Sequence, residues 1–438
     1  MMAKFKEYKL GDIADILTSN VDKKVTPNQK TVKLCNFVDV YHNWAITKEN
    51  YASFMTATAS DEEISKFSLK KGQVAFTKDS ETRDDIGIPT YIAESFNDVV
   101  LGYHTALATP DENIVTGEYL NAFMHSSFIQ KYFELNATGS GMRYTLSLQT
   151  LHDIPILAPD LPTQNKIGAL LSNIDHKISV NREINRNLEE LAKQIYDYWF
   201  VQFDFPNEDG KPYKSSGGKM VWNELLKREI PAGWEVESVN NISTSCRGVG
   251  YTSKDEKSVT DKNIVLILRG NNIANNHIIY DDNTVFVDKS FVSEEQKIKK
   301  FDIIITMSSG SKEHVGKSAM FLFDSPHSYG AFCNKIIPKK NYQYFLENYL
   351  HSNFFIKCIR QFASGTGINN LTNEHFSKTF FAFPPTKILG LFNKKVEDIY
   401  KQKGFIEQEC LQLSVLRNTL LPLLMNGQVT LNSCLSHE

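Results

Sequence analysis

The chain contains two copies of one design, and that duplication constrains its fold more than any single motif does. A mixed globular stretch running into a long heptad-patterned segment occurs twice. Without gaps, Leu69 to Ile92 (LKKGQVAFTKDSETRDDIGIPTYI) overlies Ile298 to Phe321 (IKKFDIIITMSSGSKEHVGKSAMF), sharing two lysines, an apolar run ending in Thr, a polar loop and a Gly. Leu101 to Pro110 then matches Tyr329 to Pro338, and His125-Ser126 matches His351-Ser352, ahead of related loops, ATGSG from Ala137 and ASGTG from Ala363. Two similar halves in one chain imply two similar sites.

Residues up to about Pro159 alternate short β-rich runs (Val74 to Thr77, Val99 to Leu101, Ile154 to Leu157) with turn clusters and one helix, Gly117 to Leu135. This pattern predicts a compact α+β domain. From Pro162 to about Val201 an apolar seam follows: Ile167, Leu171, Ile174, Ile178, Asn181, Asn185, Leu188, Ala192, Ile195, Trp199. Its spacing alternates four and three, the a/d signature of a coiled coil, in a helix roughly 60 Å long at 1.5 Å per residue. After Pro384-Pro385 the same alternation returns at Leu389, Phe392, Val396, Ile399, Lys403, Ile406, Cys410, Leu413, Arg417, Leu420 and Leu424. Each seam needs a cover, so the two helices are expected to pair antiparallel, with a globular domain at each end of the rod. Asn181, Asn185, Lys403 and Arg417 interrupt the seams and would fix register, or, for the two cations, snorkel at a loose edge. Gly404 weakens the second helix by about 1 kcal/mol relative to Ala.

The expected fold class is α+β: two globular domains separated by a long antiparallel two-helix coiled coil, related by a pseudo-twofold repeat. The expected boundaries are 1–160 and 233–383 for the domains, 161–205 and 384–427 for the helices, 206–232 for a linker and 428–438 for a tail. Within the linker region an aromatic opening at Trp199 should pack, while DGKPYKSSGGK should be exposed.

A chain of 438 residues with 41% hydrophobic content can bury sizeable cores. Its six cysteines form no CxxC pair, which fits reduced thiols and a cytoplasmic setting. No apolar run approaches the roughly 18 residues of a membrane span, and no signal-like apolar region opens the chain. A formal net charge of -3 gives no global basic signature, so nucleic-acid binding would need local basic loops.

Searches for catalytic chemistry fail on spacing. GSKEHVGKS, Gly310 to Ser318, resembles a phosphate-binding loop, but GxxxxGK[ST] needs Gly at Ser311. A surface turn is the expected reading. Neither GxGxxG nor an NPPY-like methyltransferase motif occurs, and GxSxG is missing. His104, His125, His152, His314 and His351 lack metal-ligand spacing, so no metal site is expected, and His125 and His351 read as equivalent structural groups. Asp302 beside Lys299 and Lys300 reads as the solvated start of a strand.

The segment LPTQNKIGALLSNIDHKISVNREINRNLEELAKQIYDYWFVQFDFP, the following PYKSSGGKM and IPAGWE, and the closing LRNTLLPLLMNGQV resemble conserved regions of the specificity subunit of type I restriction-modification enzymes. The resemblance covers essentially the whole chain. It implies that two target-recognition domains read the two halves of a bipartite double-stranded DNA sequence while the helices act as a spacer. It further implies two methyltransferase subunits docked on the helix regions, with restriction subunits joining the full complex. S-adenosylmethionine, ATP and Mg would serve those partners, with no cofactor in this chain. One departure is visible: Gln164 opens the first helix as in the family, but the second opens PPTKILG with Lys387.

Sequence readout needs side chains that present donors and acceptors to base edges, and affinity needs Lys and Arg against phosphates. In the first copy the repeated polar loop holds Lys78, Thr82 and Arg83, and the GSG turn leads through Met142 into Arg143 and Tyr144. In the second, the equivalent segments hold Ser309, Ser311 and Lys312, then Asn369 and Asn370; Arg247, Tyr251 and Arg269 are further loop candidates. The turns at Gly139 to Gly141 and Gly365 to Gly367 read as helix C-terminal turns with positive φ, able also to bring backbone amides to phosphate. A helical spacer should hold the half-sites on one face of the duplex, about one to two turns apart at roughly 34 Å per turn. The rival readings are a coiled-coil scaffold binding proteins through its globular ends, and a stand-alone nuclease or methyltransferase.

Overall fold

The computed structural model describes residues 5–140, 143–258, 260–274, 276–279, 284–363, 369–429 and 431. The chain forms two compact units, Met1–Asn181 with Glu409–Glu438, and Arg182–Gln408.

In the first unit a five-stranded sheet has the order Ala14–Thr18, Thr105–Pro110, Val74–Thr77, Pro89–Ile92, Ala45–Ile46. Val74–Thr77 is apolar or uncharged throughout and every one of its residues is buried, as expected for a central strand covered on both faces. A second sheet sets Lys30–Cys35 between Met55–Ala59, antiparallel, and Val99–Leu101, parallel. Lys6–Lys9 pairs with Pro155–Ala158, bringing the start of the unit against the strand that leads into the first long helix.

The second unit repeats this plan almost strand for strand. Ser243–Arg247, Cys333–Pro338, Ile303–Thr306 and Ser318–Met320 form the main sheet in the corresponding order. Ile264–Leu268 lies between an antiparallel Val285–Asp288 and a parallel Ser328–Tyr329, and Glu235–Ser238 pairs with Phe380–Phe383. The preceding segment is ordered: Phe203, Phe205 and Trp234 are buried together, and Met220–Asn223 pairs with Arg228–Pro231.

The single helix expected from Gly117 to Leu135 is two, Gly117–Met124 and Ser127–Asn136. The break has a local cause: the Ser126 hydroxyl accepts the Ile129 amide and caps a new helix. Ser352 does the same for Phe355 between Gln343–Leu350 and Asn353–Phe362. His125 and His351 close the upstream helix of each pair, as the repeat predicts. Burial pushes the His125 imidazole down to about 3 and that of His351 down to about 4.

The first long helix runs over Leu161–Tyr196 and the second over Thr386–Met425. Within the first unit they lie antiparallel, since partner numbers fall as chain numbers rise: Asp175 with Arg417 (3.1 Å), then Asn181 with Glu409 (2.6 Å). Within the second unit Glu189 meets Lys403 and the Tyr196 ring meets Phe392, again antiparallel. Gln164 is fully buried; its amide donates to the carbonyls of Ile114 and Pro159 and its oxygen accepts the Thr116 amide, locking helix to globular core. Lys387, which stands where the family resemblance expects the second Gln, is exposed.

The four polar interruptions differ in environment. Asn181 and Asn185 are buried. Arg417 is half-buried and lies over the Trp44 ring, 5.4 Å from its centroid, whose other partner is the stacked His125 ring at 4.2 Å. Lys403 is 4% exposed among Glu189, Glu407 and Glu347, so it does not snorkel. Burial alone would lower its ammonium, but those three carboxyls hold it above the ordinary value. Asp302 likewise departs from expectation. It is buried and paired at 3.1 Å with buried Lys335, which arrives from the neighbouring strand Cys333–Pro338.

Candidate nucleic-acid interface

In each unit the polar loop after the central strand is closed by the segment that follows the glycine-rich turn. In the first, Asp79–Ser80 pairs with Arg143–Thr145, which also pairs with Thr138–Ser140. In the second, Ser308–Ser309 pairs with Asn369–Asn370. The turn at Gly139 is therefore part of a β-ribbon instead of a helix C-terminus, the preceding helix ending at Ala137 in extended conformation. Gly139 has φ +143, and a Cβ there would stand 2.1 Å from the Arg143 carbonyl oxygen, so glycine permits the close approach. Gly141, Met142 and Gly365 to Gly367 lie outside the described residues.

Backbone hydrogen bonds fix which positions correspond. The Lys78 amide donates to the His104 carbonyl (3.0 Å) and the Leu146 amide to the Lys78 carbonyl (2.8 Å); Met307 to Phe332 (2.8 Å) and Leu371 to Met307 (2.7 Å) repeat the pattern. Gly87 bonds back to Thr77 and Gly316 to Thr306, at φ +79 and +82. The Thr82 amide donates to the Ser80 hydroxyl and the Ser311 amide to the Ser309 hydroxyl, both at 3.3 Å. Lys78 thus corresponds to Met307, Asp79 to Ser308, Arg83 to Lys312, His104 to Phe332, Tyr144 to Asn369 and Thr145 to Asn370.

The first site is a charged network. Asp79, 8% exposed, is its hub: His104 Nδ1 lies 2.6 Å from Oδ2, Arg143 3.5 Å and Lys78 3.6 Å. Arg143 Nη2 approaches His104 Nε2 at 2.6 Å. The same Nη2 also contacts Nδ1, so the guanidinium lies against both ring nitrogens. Burial would raise the Asp79 carboxyl, but hydrogen bonds from Thr145 and His104 and the charges of Lys78 and Arg143 outweigh it and hold the group below its ordinary value. Arg83 lies 5.0 Å from the centroid of the Tyr144 ring, and Tyr103 packs on His104 at 3.7 Å. Lys78, Arg83, Arg143 and Tyr144 are therefore brought to one ribbon, with Thr82 exposed in its loop.

The second site is nearly neutral at the same positions. Ser308 and Asn370 side chains are hydrogen-bonded, and the Asn369 amide donates to the Gly310 carbonyl at 3.3 Å. Lys312 is exposed in the loop with Ser311. Arg247 is exposed at the end of its strand opposite Asn334. Tyr251 and Arg269 are half-buried and bonded to each other; burial raises the Tyr251 hydroxyl, with Arg269 opposing it. These three are not on the ribbon that carries Ser309, Asn369 and Asn370.

Asp79, Tyr103, His104 and Phe332 were not among the sequence candidates. A signal existed: aligning Leu101 to Pro110 with Tyr329 to Pro338 already sets His104 on Phe332.

Comparison with known proteins is consistent along the chain. Residues 2–190 match the family model described as type I restriction modification DNA specificity domain. The HindI specificity subunit of Haemophilus influenzae, a type I restriction enzyme subunit, is 25% identical over 98% of this chain and 100% of its own length. The EcoKI specificity subunit of Escherichia coli is 32% identical over 46% of this chain and 44% of its own. The fold resembles the crystal structure of a type I restriction-modification S subunit from M. genitalium, with TM-score 0.53, 15% identity and 96% of both chains covered.

Proposed function

We propose that the chain is a specificity subunit of the type I restriction-modification kind, to which residues 2–190 and, through the HindI relative, 98% of the chain are similar, and that it recognises a bipartite double-stranded DNA sequence, each unit reading one half. The observation that carries this reading is the pair of ribbons: one backbone plan, repeated down to single hydrogen bonds, bearing different side chains at equivalent points. A repeated protein-binding end would be expected to keep its chemistry. Two different half-sites require it to change.

On the first ribbon Lys78, Arg83 and Arg143 supply phosphate contacts and a fork that can bond guanine O6 and N7; Asp79 and His104 orient that fork. On the second, Asn369 or Asn370 can bond adenine N6 and N7, with Lys312 against the backbone. The chain itself is noncatalytic in this reading. Two methyltransferase subunits dock along the long helices, restriction subunits complete the enzyme, and S-adenosylmethionine, ATP and Mg act on those partners in the cytoplasm. Among the described residues no helix is long and apolar enough to cross a membrane.

Coexpression with a cognate methyltransferase subunit, followed by base-resolution mapping of methyladenine, should yield one split motif with a fixed spacer. Methylation at a continuous motif contradicts the reading, as does methyl transfer by the purified chain alone.

A further inference from the structure

At one pair of corresponding positions the two sites have opposite chemistry. His104 is bonded into the charged network of the first unit, whereas Phe332, its equivalent in the second, is 66% exposed. We propose that Phe332 is a specificity-determining residue that packs on the 5-methyl group of a thymine in the major groove; this rests on the reading of the chain as a DNA reader.

A single exposed aromatic is ordinary on a protein surface and carries no meaning alone. Phe332 differs in how it is held. Its carbonyl accepts from the amides of both Met307 (2.8 Å) and Ser308 (3.2 Å), and the next residue, Cys333, is buried in the main sheet opposite Thr306. The residue thus sits in a turn whose backbone is bonded to the strand end that opens the ribbon of Ser308, Ser309, Asn369 and Asn370. A benzyl side chain has no donor or acceptor for base edges. The apolar feature that distinguishes one base from the others in the major groove is the thymine methyl, and the amides of Asn369 and Asn370 are suited to the adenines of A·T pairs.

The test uses the complex with its methyltransferase partner and duplexes carrying the mapped motif, each thymine replaced in turn by uracil, which removes one methyl and keeps base pairing. At one thymine the substitution should weaken binding about fourfold, the equivalent of losing one buried methyl at ~0.8 kcal/mol. Phe332→Ala should weaken binding to the native duplex by at least as much, keep the native melting temperature because the ring is exposed, and lose the uracil effect at that position while retaining any effect elsewhere. The proposal is overturned if no uracil substitution has an effect, if Phe332→Ala keeps every native sensitivity, or if one half of the motif contains only G·C pairs and the uracil effect in the other half survives the variant. In all three results split-motif methylation would still stand. Absence of any split motif overturns the parent reading and the proposal with it.

Discussion

The two ribbons share a backbone plan and differ in the charge of the side chains they carry. The first gathers Lys78, Arg143 and His104 around the buried carboxylate of Asp79, while the second offers Met307, Ser308, Phe332 and Asn370 at the same positions. The difference teaches that the repeated hydrogen bonds are scaffold, and that a few side chains on it can be exchanged without disturbing the fold. The units also differ where their helices pair. The first uses a half-buried Arg417 bonded to Asp175 and stacked over Trp44; the second buries Lys403 among three glutamates.

The largest test of that contrast is at the helices. Lys403→Met should destabilise the second unit by about 3–5 kcal/mol, because it removes a buried ammonium from between the buried Glu347 and the partly exposed Glu189 and Glu407. Arg417→Met should cost the first unit about 1 kcal/mol, since the guanidinium itself keeps access to water where the Lys403 ammonium does not. Unfolding curves of the full-length variants compare the two, and equal losses would mean the difference in burial carries no energetic weight.

At the ribbons, Arg143→Ala should relax specificity at one base pair by about 1–3 kcal/mol and reduce the slope of log K against log salt by about 1 if Arg143 also neutralises a phosphate. Asn370→Ala should relax specificity in the other half by a similar amount and leave the salt slope unchanged. Binding titrations at several salt concentrations measure both. A salt slope altered equally by the two variants would erase the charged-versus-neutral distinction.

The smallest effect concerns pH. Burial raises the Glu347 carboxyl to about 8, against attraction from Lys403 and with Glu189, Glu407 and His277 also facing it. A raised carboxyl contributes stability fully below its ordinary value of 4.5 and loses it as pH climbs through about 8. His125, depressed to about 3, does the reverse: its contribution is present above 6.5 and is lost as pH falls. Between pH 6.5 and 8 the second unit should therefore weaken and the first should not. A fall of roughly 2–4 °C in melting temperature over that interval, abolished in Glu347→Gln, is the expected signature.

Much of the scaffold was legible because its signals are periodic or repeated. Val74–Thr77 and Val99–Leu101 occur as read, and the heptad seams mark both long helices. The break at Ser126 was missed because apolar spacing continues through it; only the serine cap, a local hydrogen bond, divides the helix. Asp302 looked solvated because Lys335, its partner, arrives from a strand that is distant in sequence. At the site, the repeat pointed to the loop cations. The roles of Asp79 and His104 depend on ribbon closure by Arg143–Thr145, a long-range pairing that composition does not encode.

The most direct test of the division of labour is exchange of residues 1–160 for the corresponding segment of another family member, with methyladenine mapped at base resolution before and after. One half of the split motif should change and the other should persist. A change in both halves, or in neither, would contradict the account.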